Sequence, residues 1–156
     1  MYDGLGAKGF YRLNILDHKD GSSEVVGDSG WVQNNITESG YKNFIIGPMV
    51  AANSSVIATA ALGTSTASVA STATALVGEL STGRFALVAA LTGTKSAQFT
   101  GSLNSGVIGG SSQIANVGLF ANSTASAGSM AAGNTYAAST LQTNQTVSLT
   151  YSITFS

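Results

Sequence analysis

The chain has 156 residues, a formal net charge of −1, one histidine, one proline and no cysteine. Only 8% of its residues are charged, against about 25% in an average soluble domain. Six Lys/Arg against seven Asp/Glu leave no basic surplus for phosphates, which argues against a nucleic-acid partner; the missing cysteine excludes zinc fingers, redox motifs and disulfide scaffolds. Ala, Ser, Gly and Thr fill 80 positions. The opening residues show no basic region followed by an apolar run, so no secretory signal is expected. The length suits one domain, read as an N-terminal arm over residues 1–8 and a single domain over 9–156.

Taken in chain order, the dominant signal is alternation. Tyr11, Leu13 and Ile15 alternate with Arg12 and Asn14, which predicts a strand with one apolar face. Asp17-His18-Lys19-Asp20-Gly21 reads as a tight connection, and Glu24-Val25-Val26 and Trp31-Val32 as return strands. A short helical turn is expected at Thr37 to Lys42. Further strands are expected at Phe44 to Ile46, Val56 to Ala60, Phe85 to Leu91, Ala97 to Leu103 and Asn116 to Phe120. Thr72 is expected to cap one or two helical turns reaching Leu80, with Leu76 turned inward. The clearest strand closes the chain: Val147, Leu149, Tyr151, Ile153 and Phe155 alternate with Ser148, Thr150, Ser152 and Thr154. A hairpin pairing Thr135 to Ser139 with this last strand is expected. Many short strands with turns between them predict an all-β fold, a single antiparallel β-sandwich of jelly-roll or immunoglobulin-like type with one or two short helical turns.

The charges are unevenly placed. Ten of the thirteen lie at or before Lys42; Glu79, Arg84 and Lys95 follow, and Ser96 to Ser156 holds no Asp, Glu, Lys, Arg or His. Monomers usually keep a mixed charged surface, whereas interface cores are depleted in charge. The charge-free stretch is therefore expected to face other protein. It is not a membrane span: the best candidate, Val56 to Gly78, has eight Ser or Thr among its 23 residues.

Motifs that suggest chemistry have simpler readings. Gly4-Leu5-Gly6-Ala7-Lys8-Gly9 spells G-x-G-x-x-G, but the dinucleotide fingerprint needs a strand before it and a helix after it. Gly27-Asp28-Ser29-Gly30 resembles a serine-protease nucleophile loop, yet the lone His18 lies eleven residues upstream and the spacing reads as a turn. Asp17, Asp20 and Glu24 invite a calcium reading that Lys19 spoils. Four N-x-[ST] triplets, at Asn35, Asn53, Asn122 and Asn144, match chance in a chain this rich in Ser and Thr. No catalytic, cofactor-binding or metal residue is expected, and no enzyme.

Ala61 to Leu80 reads ALGTSTASVASTATALVGEL. It resembles a segment common in bacteriophage virion proteins, in which a Gly-Thr-rich strand end leads to a D-T-A-L turn and an acidic–hydrophobic pair. Thr72-Ala73-Thr74-Ala75-Leu76 and Glu79-Leu80 stand at those places, followed by the strand Arg84 to Ala90. Gly30-Trp31, Asn35 to Tyr41, Gly118-Leu119-Phe120, Ala132 to Tyr136 and the closing strand are similar as well. Thr72 replaces the usual Asp, and the proline of the Gly-Thr segment is missing. The resemblance implies a small β-sandwich on a tailed-phage particle. The expected function is a capsid decoration or cement protein, bound to the major capsid protein as a symmetric homo-oligomer, with a trimer among the forms that suit. A tail fibre or adaptor subunit is the alternative. A receptor- or carbohydrate-binding module, using Trp31, Tyr41 or Tyr136, is the alternative of another class.

Overall fold

The last strand, β11 (Gln145–Phe155), lies in the middle of a sheet, with buried Val147, Leu149, Tyr151 and Ile153 alternating with more open hydroxyl side chains. The computed structural model describes residues 6–52, 55–82, 84–104, 106, 111–124 and 128–156. Two antiparallel sheets pack face to face as an all-β sandwich. The first sheet takes β1 (Ala7–Lys19), β2 (Ser22–Asp28), β3 (Val32–Gln33), β7 (Val88–Gly93), β8 (Ser96–Asn104) and β11. Its order is β2-β1-β11-β8-β7, with β3 also beside β1. The second takes β4 (Asn35–Ile36), β5 (Thr59–Gly63), β6 (Phe85–Ala86), β9 (Ser112–Phe120) and β10 (Met130–Leu141), in the order β4-β10-β9-β5-β6. Tyr11, Leu13, Leu103, Leu149 and Tyr151 meet Leu62, Val117, Leu119 and Ala132 between the sheets. Each leucine so buried contributes roughly 1.5–3 kcal/mol.

The β1–β2 hairpin turns on Asp20 and Gly21 alone, both at positive φ (50° and 78°), the conformation that suits a two-residue turn between twisted strands. Asp17 and His18, expected in the connection, are still paired within β1. Ala7 and Lys8, expected in an arm, pair with Phe155 and Thr154, so the sheet begins inside that stretch; residues 1–5 lie outside the described residues.

Five expectations are corrected. Phe44 to Ile46 is helical, not a strand. Thr37 caps a helical run made of Glu38–Gly40, a π-helical turn Tyr41–Ile46, and Gly47–Met49; the Thr37 hydroxyl accepts from the Gly40 N–H at 2.9 Å. The cap and the packing of Phe44 and Ile45 on the core outweigh their β-forming tendency. Thr72 to Leu80 forms no helix. Residues 64–80 instead run irregularly over the second face of the β9 sheet, where Val69 and Leu76 bury against Ala61, Phe120 and Met130. Leu76 is inward as expected. The segment is tied down through its backbone: Met130 N–H donates to Thr74 O, Glu38 N–H to Ser71 O and Leu80 N–H to Leu62 O.

Thr135 to Ser139 does not pair with β11. It belongs to β10 in the other sheet, and residues 142–144 turn a corner between sheets. Phe85 to Leu91 is two strands. The chain leaves β6 in one sheet, and Leu87 N–H bonds Ala58 O before the chain enters β7 in the other. The Val56 to Ala60 strand is shifted and starts at Thr59.

Candidate functional site

The outer face of the first sheet is built by alternation. Once Val147, Leu149 and Tyr151 point inward, Thr146, Ser148, Thr150, Ser152 and Thr154 must point outward. Directly opposite them on β8 stand Asn104, Ser102, Thr100, Gln98 and Ser96. Five uncharged polar pairs thus occupy the middle of the sheet. Their side chains repeat about every 6.6 Å along a strand and about every 4.8 Å across strands. β1 adds Lys8, Phe10, Arg12 and Asn14 beside them, and β7 adds Val88 and Ala90 on the far side.

The charges bordering this face are largely satisfied locally. Arg12 Nε donates to Asp28 Oδ1 at 2.9 Å, and the Gly30 N–H also donates to Asp28. The Arg12 guanidinium foremost, then that backbone donor, pulls the Asp28 carboxyl down to about 2. His18 bridges Ser23 Oγ and Thr146 Oγ1, each at 2.8 Å. The arrangement offers hydrogen-bond donors and acceptors in two adjacent rows.

Among the described residues, the side chains of the sequence motifs hold the following partners. Ser29 Oγ accepts from Leu13 N–H and donates to Gly30 O, while His18 holds other partners. Gly27-Asp28-Ser29-Gly30 is the end of β2 and a turn, with Gly30 at φ 65°. Of the glycine motif, Gly4 and Leu5 lie outside the described residues, and Ala7 to Gly9 are strand. Asp17 and Glu24 face each other across β1 and β2. The Asp17 carboxylate takes Asn144 Nδ2 and, at 3.1 Å, Lys19 Nζ. Among the described residues no group of three acids, histidines or cysteines is placed to hold a metal. Two of the sequon asparagines donate through their amides, Asn35 to Val69 O and Asn144 to the Asp17 carboxylate, and Asn122 accepts from Arg84; Asn53 lies outside the described residues.

Of the three aromatics, Trp31 is half exposed. The Tyr41 hydroxyl donates to Ala7 O at 3.4 Å. Tyr136 turns inward against Tyr11, ring centroids 6.3 Å apart, and its hydroxyl donates to Asn116 O. A cleft of about 280 Å³ opens beside it, lined by Leu13, Ile15, Val32, Ile114 and Asp28. That is just under the range of about 300–1,000 Å³ usual for ligand pockets, and its one acid is held by Arg12.

Two features escape a reading of the sequence. Glu79 and Arg84 form a buried ion pair, 3% and 0% exposed, with Nε–Oε1 at 2.9 Å and Nη2–Oε2 at 3.1 Å. Arg84 also donates to Asn122 Oδ1 and lies 3.4 Å above the centre of the Phe120 ring. The signal was present: two opposite charges five residues apart, alone in a long uncharged tract. The second feature is β7, exposed along its whole length. No family model, curated protein or solved structure matches this chain.

Proposed function

We propose that the protein is a structural component of a bacteriophage particle, most concretely a head decoration or cement protein. It docks on the outer shell through the outer face of the β11 sheet and acts as a symmetric homo-oligomer. The observation that carries this reading is the set of five uncharged pairs from Thr146–Asn104 to Thr154–Ser96 at the centre of that face. A surface of mostly short hydroxyl and amide side chains suits close packing against another protein. Its side chains lose little conformational entropy on docking and need no charged partner. The resemblance of Ala61 to Leu80 and its neighbours to virion proteins supports the same reading.

The test is quantitative mass spectrometry of purified particles. Hundreds of copies per particle support a shell protein. A few dozen or fewer move the chain to the tail or its fibres. Absence from particles, while the protein is made in the infected cell, overturns the reading. A glycan array run on the same preparation addresses the carbohydrate alternative, for which half-exposed Trp31 is the remaining platform.

A further inference from the structure

We infer that β7 pairs antiparallel with β7 of a second copy of this chain, about a two-fold axis that passes between the two facing Ala90 residues. Sheet edges expose unpaired backbone groups, and proteins protect them by shortening the strand or by placing charge, proline or bulges on it. Three of the four edges here are protected in these ways. β4 and β6 have two residues each. β2 carries Glu24 and Asp28, and its register with β1 shifts at Ile15/Leu16.

β7 carries no charge and no proline, and its register with β8 is regular from Val88 to Leu91, shifting only near the strand's end, between Leu91 and Gly93. It is six residues long, Val-Ala-Ala-Leu-Thr-Gly. Among the described residues it pairs only with β8. All six residues are exposed, Val88 at 71% and Leu91 at 86%.

A second copy is the occupant that the strand itself fits. Every pairing in both sheets is antiparallel, and a two-fold axis normal to the sheet continues that pattern while keeping inner face with inner face. With Ala90 opposite Ala90, Val88 meets Thr92, and Ala89 meets Leu91. The inner-face residues Ala89 and Leu91 already stand opposite Phe99 and Ala97 of β8, both half-buried, so the joined sheets share an apolar strip. No like charges are brought together, because β7 has none and Lys95, beyond its end, points to opposite ends of the pair. Self-pairing of β2 would instead gather four acids. Adding β2 of one copy to β7 of the next around a ring would make a parallel pair, since the two edge strands run in the same direction.

This inference goes beyond the particle reading and does not rest on it, because the dimer forms in free solution. The experiment takes the purified full chain, measures its mass by light scattering over a dilution series, and compares three variants. The wild type should show twice the 15.6 kDa chain mass, and Leu91→Lys should be monomeric with an unchanged circular dichroism spectrum. Ala90→Cys, in a chain with no other cysteine, should oxidise to a covalent dimer, because antiparallel partners have Cα atoms about 4.5–5.5 Å apart. Val26→Cys, on the opposite edge, should stay uncrosslinked. A monomer at every concentration, a trimer, a dimer that Leu91→Lys leaves intact, or equal crosslinking of Val26→Cys overturns the proposal.

Discussion

At Gly40 a methyl group would sit 1.9 Å from the carbonyl oxygen of Ala131, and that oxygen is backbone of β10 and cannot move aside. The helical run is held against β10 at this point, where Thr37 N–H also donates to Ala131 O. Gly40→Ala should therefore cost at least about 2 kcal/mol, in the range of overpacked cores. Gly21→Ala, strained in φ but with open space around it, should cost about 1 kcal/mol. Urea denaturation of the two variants checks the order; equal costs would mean that the helical run does not dock there. The tyrosines give a second test at this scale. Burial pushes Tyr11 and Tyr151 up to about 12, and Tyr136 further still. An unfolded tyrosine ionises near about 10. Below that value both states keep the proton and stability is intact. As pH rises from about 10 through about 12, the unfolded chain releases protons that the native protein retains, and stability falls. The urea midpoint should be flat up to about pH 9 and decline above about pH 10. Tyr136→Phe should make that decline shallower; an unchanged slope would mean that Tyr136 titrates normally.

Among the elements, 64–80 and its anchor behave as one unit. Arg84 ties the chain entering β6 to Glu79 at the end of the covering segment and to Asn122 just after β9. Removing one partner of a buried pair leaves an uncompensated charge and costs about 3–5 kcal/mol, whereas removing both costs much less. Glu79→Leu should show that loss in urea denaturation, and Glu79→Leu combined with Arg84→Leu should recover a good part of it. If Glu79→Leu melts like the wild type, the pair does not anchor the segment. Elements differ in how far they can be read from sequence. β11 and β1 are legible because one face is buried and the other is not, which writes a period of two into the chain. β9 is covered on both faces over Ile114 to Phe120 and loses that alternation. Phe44-Ile45-Ile46 has strand composition, but the deciding contacts, Thr37 and Gly40 on β10, come from elsewhere in the chain. The corner at 142–144 carries the same turn residues whether it closes a hairpin or crosses between sheets. The hydroxyl half of the candidate surface was readable from β11 alone. Its continuation across β8 and the exposure of β7 depend on strand order, which local sequence does not encode.

For the molecule as a whole, the missing charge after Lys95 has two sources. Ser96 to Ser156 supplies β8, β9, β10 and β11, every one flanked by strands on both sides; alternate side chains of β8 and β11 turn toward the other sheet, and β9 is buried from Ile114 to Phe120. The other half of β8 and β11 is the uncharged outer face. The charged residues collect around β1 and β2, at one edge of the sheet. In the proposed function this uncharged face makes the attachment to a particle. Contacts of that kind are little screened, whereas exposed ion pairs weaken within a Debye length of about 8 Å at physiological salt and about 3 Å at 1 M. The most direct measurement is retention on purified particles washed across a sodium chloride series, with bound copies counted by quantitative gel. Retention of nearly all copies up to about 1 M salt is the expected result. Loss of most copies at moderate salt would contradict it and place the attachment on the charged residues of β1 and β2.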